Sequence, residues 1–514
     1  MEDTKILVAV VSVCVLVVVL SKLKKSLLLG AKPKLNLPPG PWTLPVIGSL
    51  HHVITYPNLQ RALRVLAQKY GPVMMFQLGE VPMMVVSSPA AAQEVLKTND
   101  LTFADRYTNA TIGALTFHGE DMVFAPYGER WRQLRKICML ELLSAARVQS
   151  FRHIREEEVA RLVGNIATSA AAGEAVHLNK MVSRFVNDTV VREAVGSGSK
   201  HQEEYLSSLN VALRQTMGVA VADLFPSSRL MQMIDTAPRK VLAARNNMVR
   251  ILEEIIKETK EAMECGDGQE KVEGILGVLL RLQKEGSTPV PLTNEVIVTV
   301  MFDMFGAGSD TSSTLLTWCM TELVRSPPTM AKVQDEVRQA IKGKKQSPIV
   351  ITEDDLKGLT YLKQVIKETL RMHTPLPLLL PRKCRETCKV MGYDIPKGTV
   401  VFANAWAICR DPKYWEDSEE FKPERFDKSS LDYKGTNFEY LPFGSGRRIC
   451  PGINLGLGNA EIALASLLYH FDWKLPDGME PKDVNMEEAQ GLVASKKTNL
   501  TLYPVTRIAP AGFN

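Results

Sequence analysis

The stretch NEVIVTVMFDMFGAGSDTSSTLLTWCMTELV, Asn294 to Val324, constrains the fold more than any other part of the chain. It is apolar nearly all round, so it predicts a helix buried through the middle of the protein rather than one lying on its surface. The chain has enough material to cover such a helix: 514 residues, 45% of them apolar and 23% charged, with no internal repeat and no long disordered linker to divide them. One large unit is the simplest organisation. Polar groups inside the buried helix need reasons. Ala307, Asp310 and Thr311 share one face by the i, i+3, i+4 rule, and Ala307 with Gly308 leaves room for something large to lie against it. Thr311 is also placed to hydrogen-bond back to the carbonyl of Ala307, which bends a helix and opens it to water. A pocket wall is one reading of this face; a Thr and an Asp satisfied by local backbone is the other.

Around this helix the pattern predicts a large α-rich body with a smaller β portion. Pro72 to Ser88 reads as two apolar strands about a Gly79-Glu80 turn, followed by a helical PAAAQEVLKTN. Lys389 to Ile408 reads as a hairpin or a pair of strands about an Ile395 to Gly398 turn. Polar breaks at Ala167 to Ala175, Glu264 to Gly274 and Lys342 to Pro348 predict surface loops. A net charge of +5 is too mild to argue for nucleic acid as a partner. Eight cysteines, spread from Cys14 to Cys450, lack the spacing of a disulfide scaffold and fit a reducing compartment.

The N-terminus reads as an anchor. Ile6 to Ser21 carries no charge and, as a helix, spans roughly 24 Å. Lys5 before it and Lys22, Lys24 and Lys25 after it are placed to snorkel, and the lysine excess on the C-terminal flank keeps the bulk of the chain cytosolic by the positive-inside rule. The expected organisation is a signal anchor over residues 1–30, a proline-rich strut over 31–48 and a catalytic domain over 49–514. In the strut, LPPGPWTLPVIG cannot continue a helix, and Trp42, Leu44, Val46 and Ile47 are expected to pack it against the body.

The most specific stretch is FGSGRRICPG, Phe443 to Gly452, with three glycines and two arginines around one cysteine. INLGLGNAEIALASLLYHF follows with helical periodicity. Cys450 therefore precedes a helix N-terminus, a setting that lowers a thiol's pKa, with Arg447 and Arg448 adding positive charge. Gly444, Gly446 and Gly452 permit tight turns and close approach of a flat, bulky object. The pattern F-x-x-G-x-R-x-C-x-G, met by Phe443, Gly446, Arg448, Cys450 and Gly452, resembles the haem-binding signature of cytochrome P-450 monooxygenases.

That resemblance implies a P-450 fold preceded by one transmembrane helix, and haem b held through a Cys450 thiolate. It extends to A-G-x-[DE]-T-[ST] at Ala307 to Ser312, where Thr311 would order dioxygen and water and Asp310 would help relay protons. Glu368 and Arg371, one helical turn apart, are followed by PERF at Pro423 to Phe426; in the family Glu368, Arg371 and Arg425 would form a buried structural ion network. Trp131 and Arg135 resemble the W-x-x-x-R pair that reaches a haem propionate, and Arg382 and Arg448 match further propionate contacts. Arg130, Arg132 and Lys136 would face an acidic redox partner. By family position the substrate pocket would be lined by the Ala110 to Phe117 loop, notably Ala110, Ile112, Leu115 and Phe117, by Phe302 and Ala307, by Leu376 to Leu380, notably Leu376, Leu378 and Leu379, and by Leu492.

The implied activity is hydroxylation of an apolar small molecule with dioxygen. The electrons would come from NADPH through a cytochrome P-450 reductase, so NADPH would not itself be bound. FADRY, FAPYGERW and FEYLPFGSGRRICPG are similar to plant endoplasmic-reticulum members, most of all to grass oxidases of diterpenoids and sesquiterpenoids in defence metabolism. Such a protein would be a single-pass membrane protein with lipid among its partners. A phenylpropanoid, flavonoid or alkaloid hydroxylase uses the same machinery, and a haem-binding sensor or carrier without turnover is the reading from another class.

Overall fold

The computed structural model describes residues 35–56, 58–117, 119–196, 198–216, 220–264, 273–286, 288, 291–341 and 351–510. The helices include α1 (Ala110–Leu115), α2 (Glu129–Ile137), α3 (Leu178–Val195), α4 (Arg229–Ile234), α5 (Ala237–Glu264), α6 (Asn294–Arg325), α7 (Thr360–Met372) and α8 (Ile453–His470). The strands are β1 (Val73–Leu78), β2 (Val81–Val86), β3 (Asp105–Arg106), β4 (Val176–His177), β5 (Arg382–Lys383), β6 (Cys388–Val390), β7 (Tyr393–Ile395), β8 (Val400–Ala403), β9 (Phe471–Lys474) and β10 (Thr501–Thr506). The architecture is mainly helical with a smaller sheet portion.

The central helix α6 is capped by Thr293, whose hydroxyl accepts from the Val296 N–H, and it stops before Ser326 and two prolines. Most of its side chains are buried, on all sides, and it packs against α3, α8 and α7. Its interior hydroxyls bond back to the helix: Thr299 to the Val296 carbonyl, Thr317 to that of Ser313 and Thr321 to that of Thr317, each within 2.8 Å. That internal satisfaction lets a helix this rich in Ser and Thr stay in an apolar core.

β1 and β2 pair antiparallel about Gly79-Glu80, and the sheet runs β1-β2-β8-β5-β3 with β2 and β8 parallel. Smaller sheets join β4-β10-β9 and β6-β7. Lys389 to Ile408 departs from the expected hairpin. Its tight turn falls at Met391-Gly392, between β6 and β7, while the Pro396 to Gly398 turn hands the chain to another sheet as β8. Residues 405–408 are helical. The expected break at Ala167 to Ala175 starts late, because a helix from Arg152 runs through Ala171 on good helix formers. Most of the other two expected loops, and the expected anchor at Ile6 to Ser21, lie outside the described residues. Among the described residues no helix is long and apolar enough to cross a membrane.

The strut does lie on the body, but not through the side chains expected. Pro38 and Pro41 are buried and the Pro39 carbonyl accepts from Met75 N–H on the edge strand β1 at 2.8 Å. Gly40 approaches so closely that a Cβ there would stand 1.7 Å from the Met75 carbonyl oxygen. Val46 and Ile47 are half-buried, whereas Leu44 is exposed and Trp42, 60% exposed, turns outward to stack on His51.

Candidate active site

The loop before α8 is shaped by two glycines. Gly444 and Gly446 both take φ near +72°, and a Cβ at Gly446 would meet the Leu96 carbonyl oxygen at 2.0 Å. These turns bring Cys450 back toward Phe443, whose carbonyl accepts the Cys450 N–H at 3.0 Å, and α8 starts directly after Gly452. The sulfur faces a cavity with about 1650 Å³ of space between protein atoms, its mouth included. Phe443, Gly444, Gly452 and Leu455 lie on the sulfur's side, and Ala307, Gly308 and Thr311 of α6 also line it.

Burial pushes the Cys450 thiol up, while the Gly452 N–H and the Arg135 guanidinium pull it down. The helix-terminus setting thus does not by itself produce a thiolate, as the sequence led us to expect, because desolvation outweighs it. Bonding to a metal cation deprotonates a thiol outright.

Along one edge of the cavity four guanidinium groups converge. Arg382 donates to Asp100 and to the Ser445 carbonyl, both at 3.0 Å. Arg448 donates to the Ala104 carbonyl at 2.9 Å and lies over the Trp131 ring at 4.2 Å. Arg135 reaches the Ile449 carbonyl at 2.5 Å, and Trp131 donates to the Met122 carbonyl at 3.0 Å. The fourth is Arg106 on β3, which donates to the Leu380 carbonyl at 2.8 Å. Burial and mutual repulsion lower Arg106 far below its ordinary value and bring Arg448 to about 9. Such a concentration of buried positive charge fits the two propionate carboxylates of haem b. Arg106 stands inside FADRY, but that motif alone did not single it out.

On the opposite wall, the Thr311 hydroxyl donates to the Ala307 carbonyl at 2.7 Å. Asp310 does not line the cavity; burial raises its pKa. Of the expected substrate wall, Ala307, Leu376, Leu379 and Leu380 line this cavity, joined by Met304 and Leu315. Leu379 holds φ at +52°, a strained value for a side-chain-bearing residue. Ala110, Ile112, Leu115, Phe117, Phe302, Leu378 and Leu492 do not line it. Ala110 is exposed at the start of α1, Leu115 and Phe302 are consumed by the core, and Phe117 packs edge-on against Phe302 at 6.1 Å.

Below α7 the structure brings Glu368, Arg371 and Arg425 together. Arg371 grips both Glu368 oxygens, at 2.8 and 2.9 Å, and Arg425 reaches Glu368 Oε1 at 3.1 Å. None of the three lines the cavity, although Leu370 between the first two does.

A fold of this kind with a cysteine sulfur, a glycine-lined floor and a basic edge for two carboxylates defines a haem-thiolate protein. Comparison with known proteins agrees. The cytochrome P450 family model matches residues 38–502. The chain is 64% identical to zealexin A1 synthase and 63% identical to dolabradiene monooxygenase, both of Zea mays, over 99% of each chain. A zebra fish cytochrome P450 structure with abiraterone superposes with a TM-score of 0.73 at 23% identity, over 88% of this chain and 100% of that one. The chain belongs to the cytochrome P450 family, whose members are haem-thiolate monooxygenases that use dioxygen and electrons from a redox partner. Bound through the cysteine, the haem supplies oxygen activation, with the thiolate's electron density favouring O–O cleavage.

Proposed function

We propose that this protein hydroxylates a terpenoid, a diterpene or sesquiterpene of grass specialised metabolism. The observation that carries the reading is the full-length likeness to grass oxidases, one of them named for dolabradiene. The cavity agrees in chemistry: Met304, Ala307, Leu315, Leu376 and Leu379 offer a hydrocarbon surface. In this reading the Thr311 hydroxyl holds water and passes protons at the α6 wall, released from Ala307 when needed. Asp310, whose pKa burial raises, helps relay protons from behind that wall. Co-expression with a reductase and candidate terpene synthases, followed by product analysis, tests it. Oxygenated terpenoids are expected, and oxidation of only phenylpropanoid, flavonoid or alkaloid substrates from a panel would overturn it.

The same reading places the protein at the endoplasmic reticulum membrane, anchored by residues 1–30 with the catalytic domain cytosolic. In support, Leu230, Met233 and Ile234 of α4 are each more than 60% exposed. They lie close to the strut, since Ser227 just before α4 donates to Glu80 and the adjacent Gly79 donates to the Ile47 carbonyl. An NADPH-cytochrome P-450 reductase is the electron donor in this reading. Its acidic surface would meet Arg132, Lys136 and Arg447, which flank a hollow bordered by the exposed Met139 and Leu140.

A further inference from the structure

Asp303 lies one turn before Ala307 and two before Thr311, and all three line the cavity from α6. The helical rise puts Asp303 roughly 6 Å along the axis from Ala307 and roughly 12 Å from Thr311. A fused-ring molecule lying along α6 and attacked beside Thr311 would have its far end near Asp303. The residue is only 5% exposed, and its Oδ2 accepts the Met122 N–H at 2.8 Å. A carboxylate offers about four acceptor positions, so the backbone amides of Met122 and Val123 leave capacity to spare.

The surroundings are short of hydrogen-bonding partners. Asp121 is fully buried; its Oδ1 accepts the Phe124 N–H at 2.6 Å, and among the described residues its Oδ2 has no partner in good hydrogen-bonding geometry. Tyr205, 3% exposed, also has a buried hydroxyl without a partner among the described residues. Burial and the nearby Asp121 push the Asp303 carboxyl well above the usual range, and burial raises Asp121 to about 6. Neither Asp121 nor Tyr205 lines the cavity, so the polar group that a ligand meets at this end of α6 is Asp303 itself; a bare hydrocarbon would leave its spare acceptor capacity unused, whereas a ligand hydroxyl would use it.

We propose that Asp303 is a specificity-determining residue whose carboxyl accepts a hydrogen bond from a substrate hydroxyl remote from the attacked carbon, so that the enzyme prefers a hydroxylated terpenoid to its parent hydrocarbon. A prior hydroxylation, by another oxygenase or by a first round of this one, then supplies the preferred substrate. The inference rests on the terpenoid reading given under Proposed function.

Substrate-induced spectral titration of the holoenzyme with dolabradiene and a series of its monohydroxylated derivatives tests it. At least one alcohol is expected to bind roughly tenfold more tightly than the hydrocarbon. Asp303→Leu should level the two, while Asp303→Asn, which keeps an acceptor for Met122 N–H, should retain part of the preference. The proposal is overturned if the unaltered enzyme binds no alcohol more tightly than dolabradiene, or if Asp303→Leu with full haem content keeps the preference. Should that variant fail to take up haem, Asp303→Asn decides: a several-fold smaller preference supports the proposal and an unchanged one overturns it. Failure of the terpenoid reading shows differently, as no spectral change with dolabradiene or any of the alcohols, and it removes the proposal as well.

Discussion

The side chain of Arg371 commits every one of its guanidinium N–H groups, two of them to the carboxylate of Glu368 one turn earlier on α7. The others go to the carbonyls of Cys409, Ser418 and Glu420 at 2.7 to 3.0 Å. Glu368 also accepts from the Lys422 N–H and from Arg425, so the pair ties α7 to the segment that leads toward the cysteine loop. Both side chains are 0% exposed.

Truncating one partner strands the other in the core. Arg371→Ala should cost about 3–5 kcal/mol of stability, enough to prevent accumulation of folded, haem-loaded protein. Denaturant unfolding, or the yield of haem-loaded protein if none can be purified, checks this. A variant with near-normal stability would show that the network is dispensable.

Thr311→Ala should leave haem content and substrate binding intact and lower product formation on the order of a hundredfold, with reducing equivalents diverted to peroxide. Thr311→Ser, which restores a hydroxyl, should recover much of the coupling. The ratio of product to peroxide per NADPH consumed is the readout, and unchanged coupling in the alanine variant would remove Thr311 from proton handling.

Arg106→Leu should release haem to an apo-globin acceptor about tenfold faster or more, because one charged donor leaves the basic edge. The fold should survive, since removing one of four mutually repelling guanidiniums relieves strain in the haem-free chain. Unchanged haem loss would exclude Arg106 from propionate binding.

Asp121 gives a pH prediction with a definite sign. Its pKa is raised on folding, to about 6, so the folded state binds the proton more tightly than the unfolded chain. The resulting stabilisation is full below its ordinary pKa near 3.8 and is lost as pH rises through about 6. Asp121→Asn should flatten that part of the stability profile; equal slopes for the two proteins between about pH 4 and 6 would contradict it.

Much of this was legible in the sequence because the signals were local. The apolar run at Asn294 to Val324 marked α6 to within a residue, and the Gly79-Glu80 turn marked β1 and β2. The spacing of Glu368 and Arg371 placed them on one face, although burial of the pair came only from the resemblance. What was missed is long-range. A turn at Pro396 to Gly398 cannot say which sheet receives the next strand, and β8 pairs with β2 more than 300 residues earlier. Asp303 drew no attention in the sequence, since Met122, whose amide it holds, is 181 residues away. Phe117 and Phe302 have the composition of a pocket wall, yet their contact with each other takes them out of the cavity lining.

The account depends most on the bond between the Cys450 sulfur and haem iron. The absorption spectrum of the purified, reduced protein under carbon monoxide tests that bond directly. A strongly red-shifted Soret band is expected from the natural chain and should disappear in Cys450→Ser. Its absence from folded, haem-loaded protein, or its persistence in the serine variant, would contradict the assignment.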